Sequence, residues 1–254
     1  MFNAIRQWLD RRIIARSTIS TEQWAAAYQA LPLLINLSDS DKQHLQDLVI
    51  LFLHRKVFEG AHSLQVTQTM KLIIAMQACL PILHLGLSCY DGWYSIIVYP
   101  AGFAPKRVVM DEYGVEHQVQ TGLSGESWQR GPVILSWTDS EHAGVIDGQN
   151  LVIHEFAHKL DMQNGSANGF PPLHPSMNKE EWVKAFTDGF EDFKQHCKHG
   201  HHAHFDCYGA TSPAEFFAVF SEVFFEKPDL LVTHYPVIHE QLKLYYKQDP
   251  LQRL

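Results

Sequence analysis

The chain has 254 residues, and its 46% hydrophobic and 19% charged content is that of an ordinary globular protein with a buried core. A formal net charge of −8 argues against general nucleic-acid binding, which needs a basic surface. A local basic patch lies near the start, at Arg6, Arg11, Arg12 and Arg16. We interpret it as the solvated side of a first helix, and a protein-binding surface is the alternative.

The cysteines and the apolar stretches predict a soluble, cytoplasmic protein. No apolar signal region follows the N-terminal positive charges, and no stretch approaches the roughly 18 uninterrupted apolar residues of a membrane helix. The four cysteines form no C-x-x-C pair, which favours a reducing compartment over a disulfide scaffold.

Residues 1–90 have a mainly helical pattern. Segment 20–23 is a capping box, and Ser38 precedes a helix with acidic residues in its first turn. Apolar residues recur at helical spacing through 42–58 and again through 66–80.

The middle of the chain changes to a strand pattern. Residues 93–99 are rich in aromatic and β-branched side chains, and 107–119 has the pattern of a hairpin around Gly114. Residues 132–137 form one more predicted strand. These segments predict a small β-sheet just before the helices that follow.

The last part of the chain returns to helices. They are predicted from about Asn150 to Met162, Glu180 to His196, Pro213 to Glu226 and Pro236 to Lys247. No repeat or linker interrupts the sequence, so we expect one α+β domain over 1–254, with more helix than strand. Residues 1–90 would be its helical N-terminal part, and 91–254 would carry the sheet and the helices of the site described next.

The most informative segment is His154–His158, an H-E-x-x-H sequence that follows the apolar run 151–153. Residues four apart lie on one face of a helix, so both imidazoles can reach one metal ion, for which zinc is the usual choice. Glu155 would stand beside that ion as a carboxylate able to take a proton from water. The alternative is an amphipathic helix with two hydrogen-bonded histidines and a solvated glutamate.

A catalytic zinc site needs a third protein ligand and one open position. The candidates downstream are His174, the histidines of 196–204, Asp206, Glu215, Glu222 and Glu226. A metzincin arrangement is excluded, because Asn164 stands where the third histidine would be. Glu215 and Glu222 lie two turns apart on one helical face, and spacing favours neither of them. Ser212 and Glu215 also form a capping box, in which Glu215 would only close the helix start.

Two long segments, His154–Asp161 and Pro213–Glu222, resemble the Mlc titration factor A family of zinc peptidases. The terminal residues 248–254 and the region around Trp137 and Asn150 are similar to that family too, so the resemblance spans most of the chain. It implies a single zincin-like metallopeptidase domain. It also implies one zinc ion per chain and a gluzincin site related to that of anthrax lethal factor.

The resemblance implies a role for five residues. His154, His158 and Glu215 would be the zinc ligands, and Glu155 the general base. Tyr208, seven residues before Glu215, matches a tyrosine that points at the reaction centre in this group. A phenol there could donate a hydrogen bond to the oxyanion of a tetrahedral intermediate, whereas the residues alone favour a packed aromatic at a loop end.

Three further features remain open. With Glu215 as ligand, Glu222 becomes a neighbouring acid that could hold the second ring nitrogen of a histidine. Asp161 is either a similar supporting acid or a solvated acid at a helix end. The histidines of 196–204, flanked by Cys197 and Cys207, could bind metal adventitiously, and a polar loop between two helices is the favoured alternative.

The resemblance implies a zinc-dependent peptidase with aminopeptidase-like cleavage of small substrates. It also implies binding to the glucose repressor Mlc, which would relieve repression of the glucose phosphotransferase system. The expected partners are thus a peptide substrate and this repressor, without direct contact to nucleic acid or membrane. The alternative is a regulatory repressor-binding protein whose zinc site is structural or latent. A structural site is disfavoured because such sites usually close with four protein ligands, often thiolates.

Overall fold

The computed structural model describes residues 2–102, 106–110, 116–120, 125–127, 131–142, 145–200 and 205–253. Its first part consists of α1 (Phe2–Ala15), α2 (Thr21–Ala30), α3 (Asp39–Arg55), β1 (Val57–Gly60) and α4 (Gln68–Cys79). Helices α2 and α3 begin at the predicted caps, where Ser20 and Ser38 accept backbone hydrogen bonds. The prediction of a helix through Phe58 is wrong. The backbone becomes extended at Lys56, and β1 pairs with a strand far along the chain.

A small sheet follows the helical part, as predicted. Its strands are β2 (Ser95–Tyr99), β5 (Gly125–Ser127) and β6 (Val133–Ser136), and together with β1 they are ordered β1-β2-β6-β5. The first three strands are parallel, and β5 runs antiparallel to β6. Strands β3 (Lys106–Met110) and β4 (Glu116–Gln120) form the predicted hairpin as a separate antiparallel pair, and its turn around Gly114 lies outside the described residues.

The remaining helices are α5 (Trp137–His142), α6 (Leu151–Asp161), α7 (Lys179–Lys198), α8 (Pro213–Glu226), α9 (Pro228–His234) and α10 (Pro236–Tyr246). The four long helices that the sequence predicts here are confirmed to within about two residues at each end. The two short helices α5 and α9 were not predicted. Each has fewer than two full turns, which is too short for a helical repeat to be recognised.

The motif helix α6 lies in the centre of one continuous hydrophobic core. It contacts α4, α8, β5 and β6, and its Phe156 packs on the rings of Phe52, Tyr90 and Trp93. Every residue of α8 from Phe216 to Glu226 is buried. Polar side chains that face each other between α6 and α8 are therefore shielded from water and must find partners there.

The cysteines differ from the expectation of free thiols. Cys197 near the end of α7 and Cys207 form a disulfide, with their Cα atoms 5.8 Å apart. Cys79 and Cys89 are free, as expected. Among the helices of the described ranges, none is both long and apolar enough to cross a bilayer.

Candidate metal centre

Two helix starts place the predicted ligands. The side chain of Asn150 accepts the N–H of Ile153 at 3.0 Å and begins α6, which sets His154 and His158 one turn apart with ring centroids separated by 4.8 Å. The hydroxyl of Ser212 accepts the N–H of Glu215 at 3.2 Å and begins α8. The cap uses only the backbone of Glu215, so its carboxylate is left to face the histidines.

The structure brings His154, His158 and Glu215 together. Oε2 of Glu215 lies 3.0 Å from Nε2 of His154 and 3.2 Å from Nε2 of His158, and the two Nε2 atoms are 3.2 Å apart. One potential ligand atom from each residue thus lies within 4.8 Å of the others. Two imidazole nitrogens and a carboxylate oxygen are the donors that a catalytic zinc site uses.

Glu222 contacts the other side of the His154 ring. Its Oε1 accepts a hydrogen bond from Nδ1 of His154 at 2.7 Å, and its Oε2 accepts the N–H of Asn150. A proton held on Nδ1 allows Nε2, once deprotonated, to offer its lone pair to a metal ion on the side of Glu215. Glu222 therefore orients the ring of His154 and does not join the group of three.

The electrostatics of the three side chains fit a bound cation. Although burial disfavours the imidazolium, Glu222 and Glu215 outweigh it and raise the pKa of His154 above its usual range. Burial also opposes ionisation of Glu215, but hydrogen bonds from both histidines lower its pKa to about 2. Without a metal ion, a proton shared between these nitrogens and the carboxylate supplies the positive charge that both shifts reflect. A divalent metal ion that replaces the proton would supply the same charge.

Glu155 is buried beside this group, so the interpretation of a solvated glutamate is wrong. The residue is only 4% exposed, and its Oε2 has no hydrogen-bond partner in the part of the chain that the structure describes. Burial raises the pKa of Glu155 to about 7, although the two neighbouring histidines oppose the shift. A carboxyl group with this pKa can both take and release a proton near neutral pH.

Tyr208 lies on a short 3-10 turn, and its backbone N–H donates to the carboxylate of Asp206. Its ring centroid is 6.0 Å from that of His154, and the residue is 46% exposed. The interpretation of a packed aromatic side chain is therefore wrong, because Tyr208 is half exposed next to the candidate metal centre.

The other candidate ligands have different partners. His174 donates from Nε2 to the carbonyl of Tyr245, and Asp206 caps the turn before Tyr208. Glu226 accepts hydrogen bonds from the backbone N–H of Gly148 and the side-chain amide of Asn150. Its supporting role was not predicted, although its position one turn after Glu222 on a largely apolar helix was a usable signal.

Asp161 and the described residues of the histidine-rich segment, 196–200, do not join the group of three. Asp161 is fully buried, and its Oδ2 accepts the N–H groups of Asn168 and Gly169, both at 2.7 Å, so it holds the loop after α6 and is not solvated. In the histidine-rich segment, His196 forms an ion-pair contact with Asp192. Its residues 201–204 lie outside the described ranges.

Comparison with known proteins identifies the family of this chain. The sequence profile of a family described as glucose-regulated metallo-peptidase M90 matches residues 5–247. The chain is 39% identical over 235 residues to Mlc titration factor A of Serratia proteamaculans (strain 568), covering 91% of this chain and 89% of that protein. The protein of the same name from Klebsiella pneumoniae (strain 342) is 38% identical over 228 residues, covering 89% and 86%. The chain therefore belongs to the glucose-regulated metallo-peptidase family M90, the family of Mlc titration factor A.

Proposed function

We propose that the chain is a zinc-dependent peptidase in which His154, His158 and Glu215 hold one Zn²⁺. The observation that carries this proposal is the meeting of two imidazole Nε2 atoms and one carboxylate oxygen between α6 and α8. Within the described residues the group contains three potential ligands, and three protein ligands with one open position are typical of catalytic zinc. This composition favours catalysis over a structural zinc site.

The chain's own residues would divide the reaction between them. When bound, zinc supplies a Lewis acid that polarises the substrate carbonyl and lowers the pKa of water. Glu155 takes a proton from the attacking water and passes it to the leaving amine, which suits a buried carboxyl whose pKa is about 7. Tyr208 donates a hydrogen bond to the developing oxyanion, and Glu222 keeps the ring of His154 in place.

Glu155→Gln tests this mechanism, because the amide keeps the size of the side chain but cannot accept the proton. We expect the variant to retain zinc and to lose about 10²–10⁴-fold in peptide hydrolysis. Metal content and turnover are measured together, with Glu180→Gln on the exposed start of α7 as the control. Turnover at the wild-type rate in a zinc-loaded Glu155→Gln protein would disprove the assignment.

We further propose cleavage of the aminopeptidase type on small substrates, which is supported by the family resemblance. An aminopeptidase needs a free α-amine on its substrate, whereas an endopeptidase does not. An aminoacyl anilide and its N-acetylated form separate them, since an aminopeptidase cleaves the first and rejects the second. Equal cleavage of both would assign the site to an endopeptidase.

A second proposed activity is binding of the repressor Mlc in the cytoplasm, which would relieve repression of the glucose phosphotransferase system. Its support is the name that the relatives carry, Mlc titration factor A. We expect the double substitution His154→Ala with His158→Ala to abolish hydrolysis and to leave repressor binding within about two-fold, because each function would use its own surface. Pull-down or titration with purified repressor measures the second outcome. Loss of both functions would show that binding depends on the metal centre.

A further inference from the structure

A cleft lies at the edge of the sheet, between α1 and β1. It has a volume of about 850 Å³ and is lined by side chains of α1, α3 and β1 and of the first turn of α4. Ile13, Ile19, Leu53 and Phe58 provide its apolar part. The candidate metal centre is elsewhere, because α6 contacts β5 and β6 while β1 forms the opposite edge of the sheet.

The cleft is basic although the chain as a whole is acidic. Arg12, Arg16 and Lys71 supply its positive charge, whereas the ammonium of Lys56 is buried and donates to the carbonyls of Tyr90 and Trp93. No Asp or Glu lines the cleft among the residues the structure describes. None of Arg12, Arg16 and Lys71 forms an ion pair in these ranges, and Arg12 and Arg16 are exposed. On a protein with a net charge of −8, this is a local site of positive potential that attracts negative groups.

The edge strand β1 offers backbone hydrogen bonds to the same cleft. The N–H of Val57 donates to the carbonyl of Tyr94, and that of Ala61 to the carbonyl of Val98, both at 2.9 Å. Because backbone groups alternate in direction along a strand, those of Phe58 point away from β2 to the open edge. Val57 is 54% exposed and Phe58 half-buried, and no described strand pairs with β1 on its outer side.

We propose that this cleft binds an extended acidic segment of a partner protein, which pairs with β1 at Phe58 and places carboxylates near Arg12, Arg16 and Lys71. Two features favour a peptide over a nucleic acid. An open strand edge recognises a polypeptide backbone, and the apolar residues accommodate alternate side chains of an added strand. The cations then favour an acidic peptide through charge complementarity. This surface is independent of the proposed peptidase activity, and it also gives a function to Arg12 and Arg16, two of the four N-terminal arginines.

The test uses a fluorescein-labelled eight-residue peptide of alternating Glu and Val, and fluorescence anisotropy with the Glu155→Gln protein, which leaves the probe uncut. We expect saturable binding of this peptide and none of the Lys–Val counterpart. Arg12→Glu with Arg16→Glu should weaken binding by about ten-fold or more, since each reversal replaces an attraction by a repulsion. The matched control is Arg11→Glu, an exposed residue of the same helix outside the cleft, which should change Kd by less than about two-fold.

A second probe separates strand pairing from charge attraction. The same Glu–Val peptide with N-methyl groups on alternate residues keeps its charge and cannot form one row of backbone hydrogen bonds, so we expect it to bind about ten-fold more weakly. Equal binding of both peptides, or unchanged binding after the Arg12 and Arg16 reversals, would overturn the proposal. Tighter binding of a single-stranded oligonucleotide that is lost in the same double variant would assign the cleft to nucleic acid instead.

A further measurement distinguishes failure of the proposed peptide-binding cleft from failure of the proposed peptidase activity. Arg12→Glu with Arg16→Glu, made in the wild-type background, should retain zinc content and hydrolysis, because α1 packs mainly against α3 whereas the candidate ligands lie on α6 and α8. Loss of peptide binding with intact hydrolysis supports the cleft as a separate surface. Loss of both activities in a folded protein would contradict it.

Discussion

The ring of His154 has a carboxylate at each of its two nitrogens. Glu222 accepts from Nδ1 at 2.7 Å, while Glu215 lies 3.0 Å from Nε2. The two acids therefore have different tasks, although both are glutamates on the same face of α8. Glu222 holds the proton on Nδ1, and this leaves Nε2 free to bind a metal ion together with Glu215.

Glu222→Gln should weaken zinc binding by about 10–100-fold, because a neutral amide no longer makes the ring of His154 more basic and has only one acceptor oxygen for Nδ1 of His154 and the N–H of Asn150. Competition with a chromophoric zinc chelator measures this change without any need for turnover. Glu180→Gln serves again as the control for a loss of carboxylate elsewhere. If zinc affinity is the same in Glu222→Gln and wild-type protein, Glu222 does not support the metal centre.

The start of α6 is tied to the end of α8 by buried hydrogen bonds. Glu226 accepts from the N–H of Gly148 at 2.9 Å and from the side-chain amide of Asn150 at 3.0 Å. Asn150 in turn caps α6 through its own side-chain oxygen. The relative position of the two helices, and so of the histidines and Glu215, thus depends on a carboxyl group that is 2% exposed.

Glu226 predicts a pH dependence of stability. Burial raises its pKa to about 8, and the hydrogen bonds from Asn150 and Gly148 only partly offset the shift. The folded protein therefore keeps a proton that the unfolded chain loses near pH 4.5, so the stability from this group is present below that pH and is lost as the pH rises to about 8. We expect the free energy of unfolding of metal-free wild-type protein, relative to Glu226→Gln, to fall by on the order of 3 kcal/mol between pH 5 and pH 9.

Urea unfolding of both proteins at several pH values measures this difference. Circular dichroism at each starting pH verifies that both are folded before denaturant is added. Parallel stability curves for the two proteins would contradict the raised pKa of Glu226.

At the scale of the whole molecule, the candidate metal centre joins two helices that lie inside one continuous core. A ligand that binds only the folded state stabilises it by mass action. The proposed zinc ion would therefore act on global stability as well as on catalysis.

Removal of zinc with a chelator should lower the melting temperature, and zinc restored at about 100 times its Kd should return about 2.7 kcal/mol of stability. Thermal unfolding with and without the chelator measures the effect. His158→Ala should unfold at the same temperature under both conditions, because it lacks one of the three ligands. A wild-type protein that is insensitive to the chelator would argue against a zinc site in this group.

Features that depend on near neighbours in the chain were predictable. The caps at Ser20, Ser38 and Asn150 and the one-turn separation of His154 and His158 follow from hydrogen bonds and side-chain spacing within four residues. For the same reason the long helices and the hairpin were recognised. Such features need no knowledge of where the rest of the chain lies.

Features that depend on distant segments were not predictable from spacing. Glu215 and Glu222 were equivalent in the sequence, and only the packing of α8 against α6 put one at Nε2 and the other at Nδ1 of His154. The pairing of β1 with β2, the Cys197–Cys207 disulfide and the burial of Glu155 likewise arise from contacts between parts of the fold. The sequence by itself therefore determined the residue types, the local helix geometry and the resemblance to a family. Only the tertiary structure decided which acid meets which nitrogen, because that depends on how two separate helices pack.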